Sequence, residues 1–214
     1  MSSRHALSFA AVILLPLHAS AAETLWTEIT VRVYDATGAT ADDHGTSLKI
    51  AASIVSAASV ELIWRHCNEP AAQPETTASD RRGDNPCELP LAPGELAVRI
   101  VRSRSVEDQR RELPLGDALI NTRTGTGVLA TIYIDRVNWI AEHTGIDRRA
   151  LLGRAIAHEL GHLLMATSAH ASYGLMRPVW SQSEIRRRHT NDWMFRSTEI
   201  AAIRARMAVL VGPR

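Results

Sequence analysis

The stretch that constrains this chain most is His-Glu-Leu-Gly-His at residues 158–162, which lies in an apolar segment without proline. On an α-helix, positions i and i+4 lie on one face, a little more than one turn apart. The imidazoles of His158 and His162 can therefore reach one metal ion, with Glu159 beside the first of them. Because polar groups on so apolar a helix are costly to bury without a partner, the segment predicts a buried, metal-binding helix.

The flanks of this segment predict the bounds of the helix. Asp147 is a good N-cap residue after Gly145, and residues 148–165 contain no proline. Leucine, isoleucine and alanine form a broad apolar stripe, so the helix is expected to be largely buried. Gly161 is unfavourable inside a helix, and we expect it where another group packs closely beside the metal.

A third histidine, His170, follows His162 after a short loop segment and can return from beyond the helix. Three protein ligands leave one coordination position open, as in catalytic zinc sites, whereas structural sites are closed by four. Glu159 is placed to act as the general base for a zinc-activated water. A carboxylate on a later helix, Glu184 or Glu199, is the alternative third ligand.

Residues 158–178 resemble the metzincin clan of zinc peptidases, in which the motif HExxHxxGxxH is followed by a turn that contains methionine. After the third histidine this chain reads Tyr-Gly-Leu-Met-Arg-Pro at residues 173–178. The resemblance implies that Met176 lies beneath the metal as an apolar floor. It also implies three zinc ligands and one general base, namely His158, His162, His170 and Glu159.

The chain departs from the metzincin pattern in the loop after the helix. The third histidine comes eight residues after the second instead of six, and Ser168 stands where the standard spacing has its ligand. Met165 occupies the position of the helix-ending glycine, so we expect a longer turn there. Tyr173, three residues before Met176, is a candidate for stabilising the transition state, and packing within the loop is the alternative.

The metzincin resemblance implies an α+β fold with a twisted mixed sheet and an active-site helix. These elements would form an N-terminal lobe at about residues 22–166, followed by a small C-terminal lobe at about residues 167–214. In this family an edge strand binds the substrate in extended form. Residues 96–102 or residues 128–134 are the expected edge.

Local patterns predict a matching order of elements. Strands are expected at residues 25–34, 60–64, 96–102 and 128–134. Helices are expected at residues 47–58, 135–143, 148–165 and 198–209, the last capped by Ser197. Residues 68–95 are expected to be an exposed loop and residues 104–116 a loop or hairpin.

The N-terminus has the pattern of a secretory signal peptide. Arg4 gives a positive charge, residues 6–17 are apolar, and residues 19–21 (Ala-Ser-Ala) form a cleavage site of small residues. Residues 1–21 would be removed near Ala21, leaving residues 22–214 as a single catalytic domain. The apolar stretch is short for a membrane span, and no cysteine follows it for lipid attachment. We therefore expect a secreted or periplasmic protein without a membrane anchor.

The chain has two cysteines, Cys67 and Cys87, on either side of a polar stretch. In an oxidising compartment such an even pair predicts one disulfide. In the chain-entropy model this crosslink would contribute about 3 kcal/mol to stability. A thiolate that masks the zinc in a latent precursor is the alternative.

The net charge of the chain indicates which kind of partner to expect. The chain has 24 basic and 23 acidic residues, and loss of residues 1–21 removes one arginine, so the mature chain is close to neutral. This balance gives no case for nucleic acid as the main partner, and a peptide or protein substrate is expected. The implied function is that of a secreted zinc-dependent endopeptidase; the alternative is a secreted zinc-binding interaction protein with little or no catalysis. The sequence does not indicate an oligomeric state.

Overall fold

The computed structural model describes residues 26–38, 41–67, 85–103, 114–121, 123–186 and 190–211. Within these ranges the strands are β1 (Thr27–Asp35), β2 (Val60–His66), β3 (Leu96–Val101), β4 (Gly116–Asn121) and β5 (Thr126–Tyr133). The helices are α1 (Ala41–Val55), α2 (Ile134–Thr144), α3 (Arg148–Met165), α4 (Gln182–Arg186) and α5 (Ser197–Val211). Two short 3-10 turns span Ser56–Ala58 and Thr190–Trp193. The predicted signal peptide lies outside the described residues.

The strands form one mixed sheet in the order β2-β1-β3-β5-β4. Strand β1 pairs in parallel with β2 and β3, and β3 pairs in parallel with β5. Strand β4 alone among them runs antiparallel to its neighbour, β5. Parallel neighbours need a crossover connection, and α1 supplies the one between β1 and β2. The resulting sheet has β2 at one edge and β4 at the other.

This strand order corrects two expectations from the sequence. Residues 96–102 and 128–134 correspond to β3 and β5, which both lie inside the sheet, so the expectation that one of them is the edge is wrong. The edge strand near the histidine helix is β4, at residues 116–121, in a region expected to begin as loop or hairpin. Its first residues, Gly116 and Asp117, are typical of turns, and this hid the strand.

Helix α3 packs against the face of the sheet where β3 and β5 place their apolar side chains. Val98, Ile100, Ala130 and Ile132 have no exposed surface, as the alternation of a half-buried strand predicts. Most of α3 is buried between this sheet and helices α1, α2 and α5. Its bounds agree with those predicted.

The two ends of α3 are made differently. The side chain of Asp147 accepts a hydrogen bond from the backbone N–H of Arg149 at 2.7 Å, which confirms the predicted N-cap. At the other end Ala166 adopts a left-handed conformation with φ +51°, and its N–H reaches back to carbonyls of the last turn. An alanine therefore makes the turn for which many helices use glycine.

The predicted disulfide between Cys67 and Cys87 is present, so neither sulfur is a free thiolate and the zinc-masking alternative is wrong. The segment after Cys87 lies against β1. The hydroxyl of Tyr34 donates to the carbonyl of Cys87 at 3.1 Å, and the guanidinium of Arg32 donates to the carbonyl of Leu89 at 2.7 Å. These bonds fasten the irregular segment before β3 to the sheet.

The predicted α+β fold, with a mixed sheet and the histidine helix packed on it, is confirmed. Helix α5 packs against α3, and it begins at Ser197, where a cap was expected. The carboxylate of Glu199 accepts from the backbone N–H of Arg196 at 2.7 Å, so this glutamate satisfies the N–H of the residue just before the helix. In the described part of the chain, no helix is both long and apolar enough to cross a membrane.

Candidate metal centre and cleft

Three histidines converge on one point. His158 and His162 lie on the same face of α3, and His170 comes from the chain that follows the helix. The Nε2 atom of His162 lies 3.1 Å from Nε2 of His158 and 3.2 Å from Nε2 of His170. One ring nitrogen from each residue lies within 4.8 Å of the others. The structure thus brings together the three side chains that the sequence offered as metal ligands.

Backbone carbonyls set the orientation of the two helical histidines. The Nδ1 atom of His158 lies 2.9 Å from the carbonyl oxygen of Leu175, and Nδ1 of His162 lies 2.7 Å from that of Thr167. A carbonyl oxygen can only accept, so each Nδ1 carries the hydrogen and donates it. In a neutral imidazole the other nitrogen then presents a lone pair. Both Nε2 lone pairs therefore face the cluster, as in metal-binding histidines fixed by an outer partner.

The electrostatics of the cluster favour a cation. Burial lowers the pKa of His158 to about 3, and it also lowers the pKa values of His162 and His170. The three rings are therefore neutral at neutral pH, and no proton separates the facing nitrogens. Two nitrogens about 2.0–2.1 Å from one tetrahedral ion would lie about 3.4 Å apart, close to the separations in the cluster. The three histidines fit a divalent cation such as zinc.

Glu159 lies beside this cluster and lines the same cleft. Only 6% of Glu159 is exposed, and this burial, with a smaller contribution from the charge of Asp117, raises the pKa of its carboxyl group to about 8. Strand β4 passes close by. A Cβ atom at Gly116 would lie 2.8 Å from Cγ of Glu159 and 2.5 Å from the carbonyl oxygen of Thr131. Only glycine lets the edge strand approach the carboxyl group this closely.

The segment after α3 closes beneath the histidines. Met176 is 1% exposed. A Cβ atom at Gly161 would lie 2.8 Å from Sδ of Met176 and 2.6 Å from the ring of Phe195, so the expected close packing at this glycine is confirmed. The N–H of Ala171 donates to the carbonyl oxygen of Met176 at 2.8 Å, which ties the two ends of the loop together. The methionine thus packs on the histidine helix, one residue before His162.

Trp180 contributes to the site in a way that the sequence did not indicate. Its Nε1–H donates to the carbonyl oxygen of Leu175 at 3.3 Å, the same oxygen that accepts from His158. Its ring meets the imidazole of His158 edge-on, with 5.7 Å between ring centroids, and it lines the cleft. Trp180 therefore fixes the carbonyl that orients a candidate metal ligand.

The other candidate residues lie elsewhere. The carboxylate of Glu184 pairs with Arg177 and accepts from the backbone N–H of Ser181, and Glu199 pairs with Arg196. Neither glutamate joins the histidine group, so the structure gives the alternative third ligand no support. Tyr173 is not among the residues that line the cleft; it is 63% exposed, and its ring lies against Arg196. Its role as a helper stays a prediction.

The histidines open into a cleft of about 260 Å³. The lining includes the start of β4 with the residues just before it, and residues 177–180 from the chain after α3. Apolar side chains predominate in the lining, among them Leu115, Ile140, Val179 and Ile185. The arrangement can hold an extended, partly apolar chain between the edge strand and the loop that carries Trp180.

No protein-family model and no curated protein matches this chain. Among solved structures, the chain is similar to the crystal structure of archaemetzincin from Methanopyrus kandleri, with 14% sequence identity. The similarity covers 91% of this chain and 99% of that chain, with a TM-score of 0.48. A likeness this distant leaves the function to the geometry of the site itself.

Proposed function

We propose that this chain is a zinc-dependent endopeptidase. The observation that carries the proposal is the convergence of three neutral histidine nitrogens beside the buried carboxyl group of Glu159 in one open cleft. Three protein ligands leave a position free for reaction, whereas a structural zinc site has four. A purely structural site also has no use for Glu159, whose burial is costly.

In the proposed reaction, His158, His162 and His170 would hold the metal and Glu159 transfers the proton. When bound, zinc would polarise the scissile carbonyl and acidify a water molecule. The charge of a bound cation would favour the ionised form of Glu159, and this carboxylate then accepts the proton of the attacking water and passes it to the leaving nitrogen. Hydrogen bonds from His158 and His162 to backbone carbonyls direct their Nε2 lone pairs to the point where the three rings converge.

We propose that the substrate is a peptide or protein segment bound in extended form. Strand β4 ends the sheet, and the backbone groups on its outer side can pair with an added strand. Its first residues line the cleft, and the strand continues to Asn121. A chain paired along β4 would therefore extend past the reacting bond, which favours cleavage at internal bonds.

We further propose that residues 1–21 are a secretory signal peptide and that residues 22–214 form one catalytic domain in two lobes that meet near residue 166. The disulfide between Cys67 and Cys87 supports export, because disulfides persist in oxidising compartments and are rare in the cytosol. N-terminal sequencing of the exported protein should begin near Ala22. An unprocessed N-terminus on exported protein would contradict the proposed cleavage.

The deciding experiment compares wild type with Glu159→Gln on a diverse peptide library, with zinc measured in both. We expect about one zinc per chain in each protein. We also expect peptide hydrolysis to fall by about 10²–10⁴-fold in the variant, the usual effect of removing a general base. Glu142→Gln, at an exposed position of α2, is the matched control and should keep full activity.

Two outcomes would contradict the proposal. If wild type binds zinc but cleaves no peptide faster than Glu159→Gln, the interaction-protein alternative takes its place. If wild type binds no zinc, the metal assignment itself fails. Elemental analysis distinguishes the two.

A further inference from the structure

A second cavity of about 520 Å³ lies between α1, the N-terminal half of α3 and the 3-10 turn Thr190–Trp193. Its walls are mostly apolar and include Ile50, Ile54, Ile146, Trp193 and Met194. Ile185 of α4 lines both this cavity and the histidine cleft. The cavity contains none of the three histidines or Glu159, so it is a separate space.

Arg154 is the unusual side chain of this cavity. Its guanidinium lies over the ring of Trp193, with 4.0 Å from Cζ to the ring centroid. The residue is partly buried, and burial lowers its pKa. Across the part of the chain that the structure describes, no hydrogen bond or ion pair engages its nitrogens. Its guanidinium nitrogens remain accessible to solvent, so they are open to an acceptor that enters the cavity.

Other buried or partly buried arginines have an acceptor within the fold. Arg32 pairs with Glu95, Arg177 with Glu184 and Arg196 with Glu199, and Arg206 donates to the carbonyl oxygen of Gly125. Arg154 differs from these four because it has no such acceptor in the described part of the chain. Its guanidinium is therefore available to a carboxylate from outside the chain.

Three other polar groups belong to the residues of this lining. The indole Nε1–H of Trp193 is buried and has no acceptor among the described residues. Asp147, the acidic side chain in the cavity lining, already caps α3 and contacts Arg149. Arg186 adds a second positive charge to the lining. The cavity thus offers a guanidinium donor and positive charge to a ligand, beside apolar walls.

We propose that this cavity binds a carboxylate attached to an apolar group, with Arg154 as the anion-binding residue. The planar guanidinium matches a carboxylate with two parallel hydrogen bonds, while its face stays on Trp193. The apolar part of the ligand packs against the isoleucines. Small-molecule sites usually combine apolar walls with a few polar groups that fix the orientation of the ligand. Two sources share this chemistry, a free organic acid and the C-terminal carboxylate of a peptide.

The test titrates zinc-loaded protein with four probes: 4-methylpentanoate, N-acetyl-leucine and the neutral amide of each. Calorimetry gives the affinities, and the NMR signal of the Trp193 indole N–H reports the location. We expect at least one acid to bind and to shift the Trp193 signal, with its amide about tenfold weaker or more, since hydrogen bonds to charged groups have this magnitude. Preference for N-acetyl-leucine over the free acid would identify a peptide C-terminus as the ligand.

Variants separate this cavity from the histidine cluster, whose metal also attracts carboxylates. Arg154→Gln should weaken acid binding by about tenfold or more, and Arg154→Lys, which keeps the charge, should weaken it less. Arg148→Gln changes an exposed arginine on the same helix that lines a different cavity, and it should leave affinity unchanged. Binding that persists in Arg154→Gln, that fails to shift Trp193, or that is equal for acid and amide would overturn the proposal, as would the absence of saturable binding by either acid.

Discussion

Two buried histidine environments in this molecule differ in the groups that form hydrogen bonds with the imidazole ring. His158 and His162, with 7% and 5% exposure, each donate Nδ1–H to a backbone carbonyl and turn Nε2 towards another histidine. His44 is 3% exposed, and its Nε2 lies 2.8 Å from a carboxylate oxygen of Asp35. Its Nδ1 has no partner in the described residues. Burial is the same in both places, and only the partners differ.

This difference distinguishes a histidine that is placed to bind a metal from one that links two elements of the fold. A neutral carbonyl fixes the tautomer of a histidine without supplying a charge. The second ring nitrogen then remains available to bind a cation. A carboxylate satisfies the ring within the fold, and in doing so it links α1 to the end of β1. Burial alone therefore does not indicate a metal site, whereas a carbonyl behind each of two facing rings does.

The largest effect is expected when one imidazole ring is removed from the histidine cluster. His158→Ala should lose the bound zinc, because two ligands remain of three and one of them, His170, is exposed. His162→Ala should behave in the same way. Elemental analysis of purified protein, compared with wild type at about one zinc per chain, measures the loss.

The matched substitution in the other environment is His44→Ala. It should keep the full zinc content but lower the free energy of unfolding by about 1–3 kcal/mol, since the carboxylate of Asp35 loses a buried partner. Urea denaturation of both variants provides the comparison. If His44→Ala lost zinc, or if His158→Ala retained it, the distinction between the two environments would fail.

A smaller effect is expected at the third histidine. His170 is exposed, and its second ring nitrogen is not held by a carbonyl in the described structure, so it is less preorganised than His158. His170→Ala should weaken zinc binding strongly but less than His158→Ala. Glu184→Gln should leave zinc affinity unchanged, because its carboxylate pairs with Arg177. Chelator competition measures all three proteins, and the reverse order for His170 and Glu184 would move the third ligand to α4.

Trp180→Phe tests how much the hydrogen bond from Trp180 to the Leu175 carbonyl contributes to zinc affinity. The substitution keeps an aromatic ring near His158 but removes the second donor to the Leu175 carbonyl. Outer partners of metal ligands typically change affinity by about 10–100-fold, and we expect the lower end because the bond from His158 remains. Trp139→Phe, on α2 and stacked on His143, is the control. Equal zinc affinity in the two variants would show that Trp180 only packs.

The smallest effect concerns the turn that presents the Thr167 carbonyl to His162. Ala166 sits there in a left-handed conformation, which costs a residue with a Cβ atom about 1–2 kcal/mol. Ala166→Gly should raise the free energy of unfolding by about 0.5–1 kcal/mol after the extra chain entropy of glycine is counted. Ala157→Gly, inside α3, should lower it by about 1 kcal/mol or more. Destabilisation by Ala166→Gly would contradict the strain assigned to this turn.

Much of the histidine helix could be predicted because its signals are local. The cap at Asp147, the absence of proline and the apolar stripe all lie within the helix itself, and its predicted bounds agree with the structure. The spacing of His158 and His162 follows from helix geometry alone. The disulfide could be predicted for a different reason, since the chain has only one pair of cysteines.

The rest of the site depends on groups that leave no mark in the sequence. The carbonyls of Leu175 and Thr167 are backbone atoms, which any residue could supply at those positions. Trp180 reads as an ordinary aromatic residue until its contact with the Leu175 carbonyl is known. Gly116 looked like part of a turn, although it is a glycine because β4 passes so close to Glu159.

Ile185 is 4% exposed, and it forms part of the wall of both the histidine cleft and the Arg154 cavity. A side chain that belongs to two binding surfaces provides a physical route for coupling between their ligands. Any free energy by which a carboxylate in the cavity changes binding in the cleft must reappear, equal in size and sign, as the effect of a cleft ligand on the cavity. If Ile185 carries such coupling, the affinity of a cleft inhibitor depends on the occupancy of the cavity through a single isoleucine on a five-residue helix.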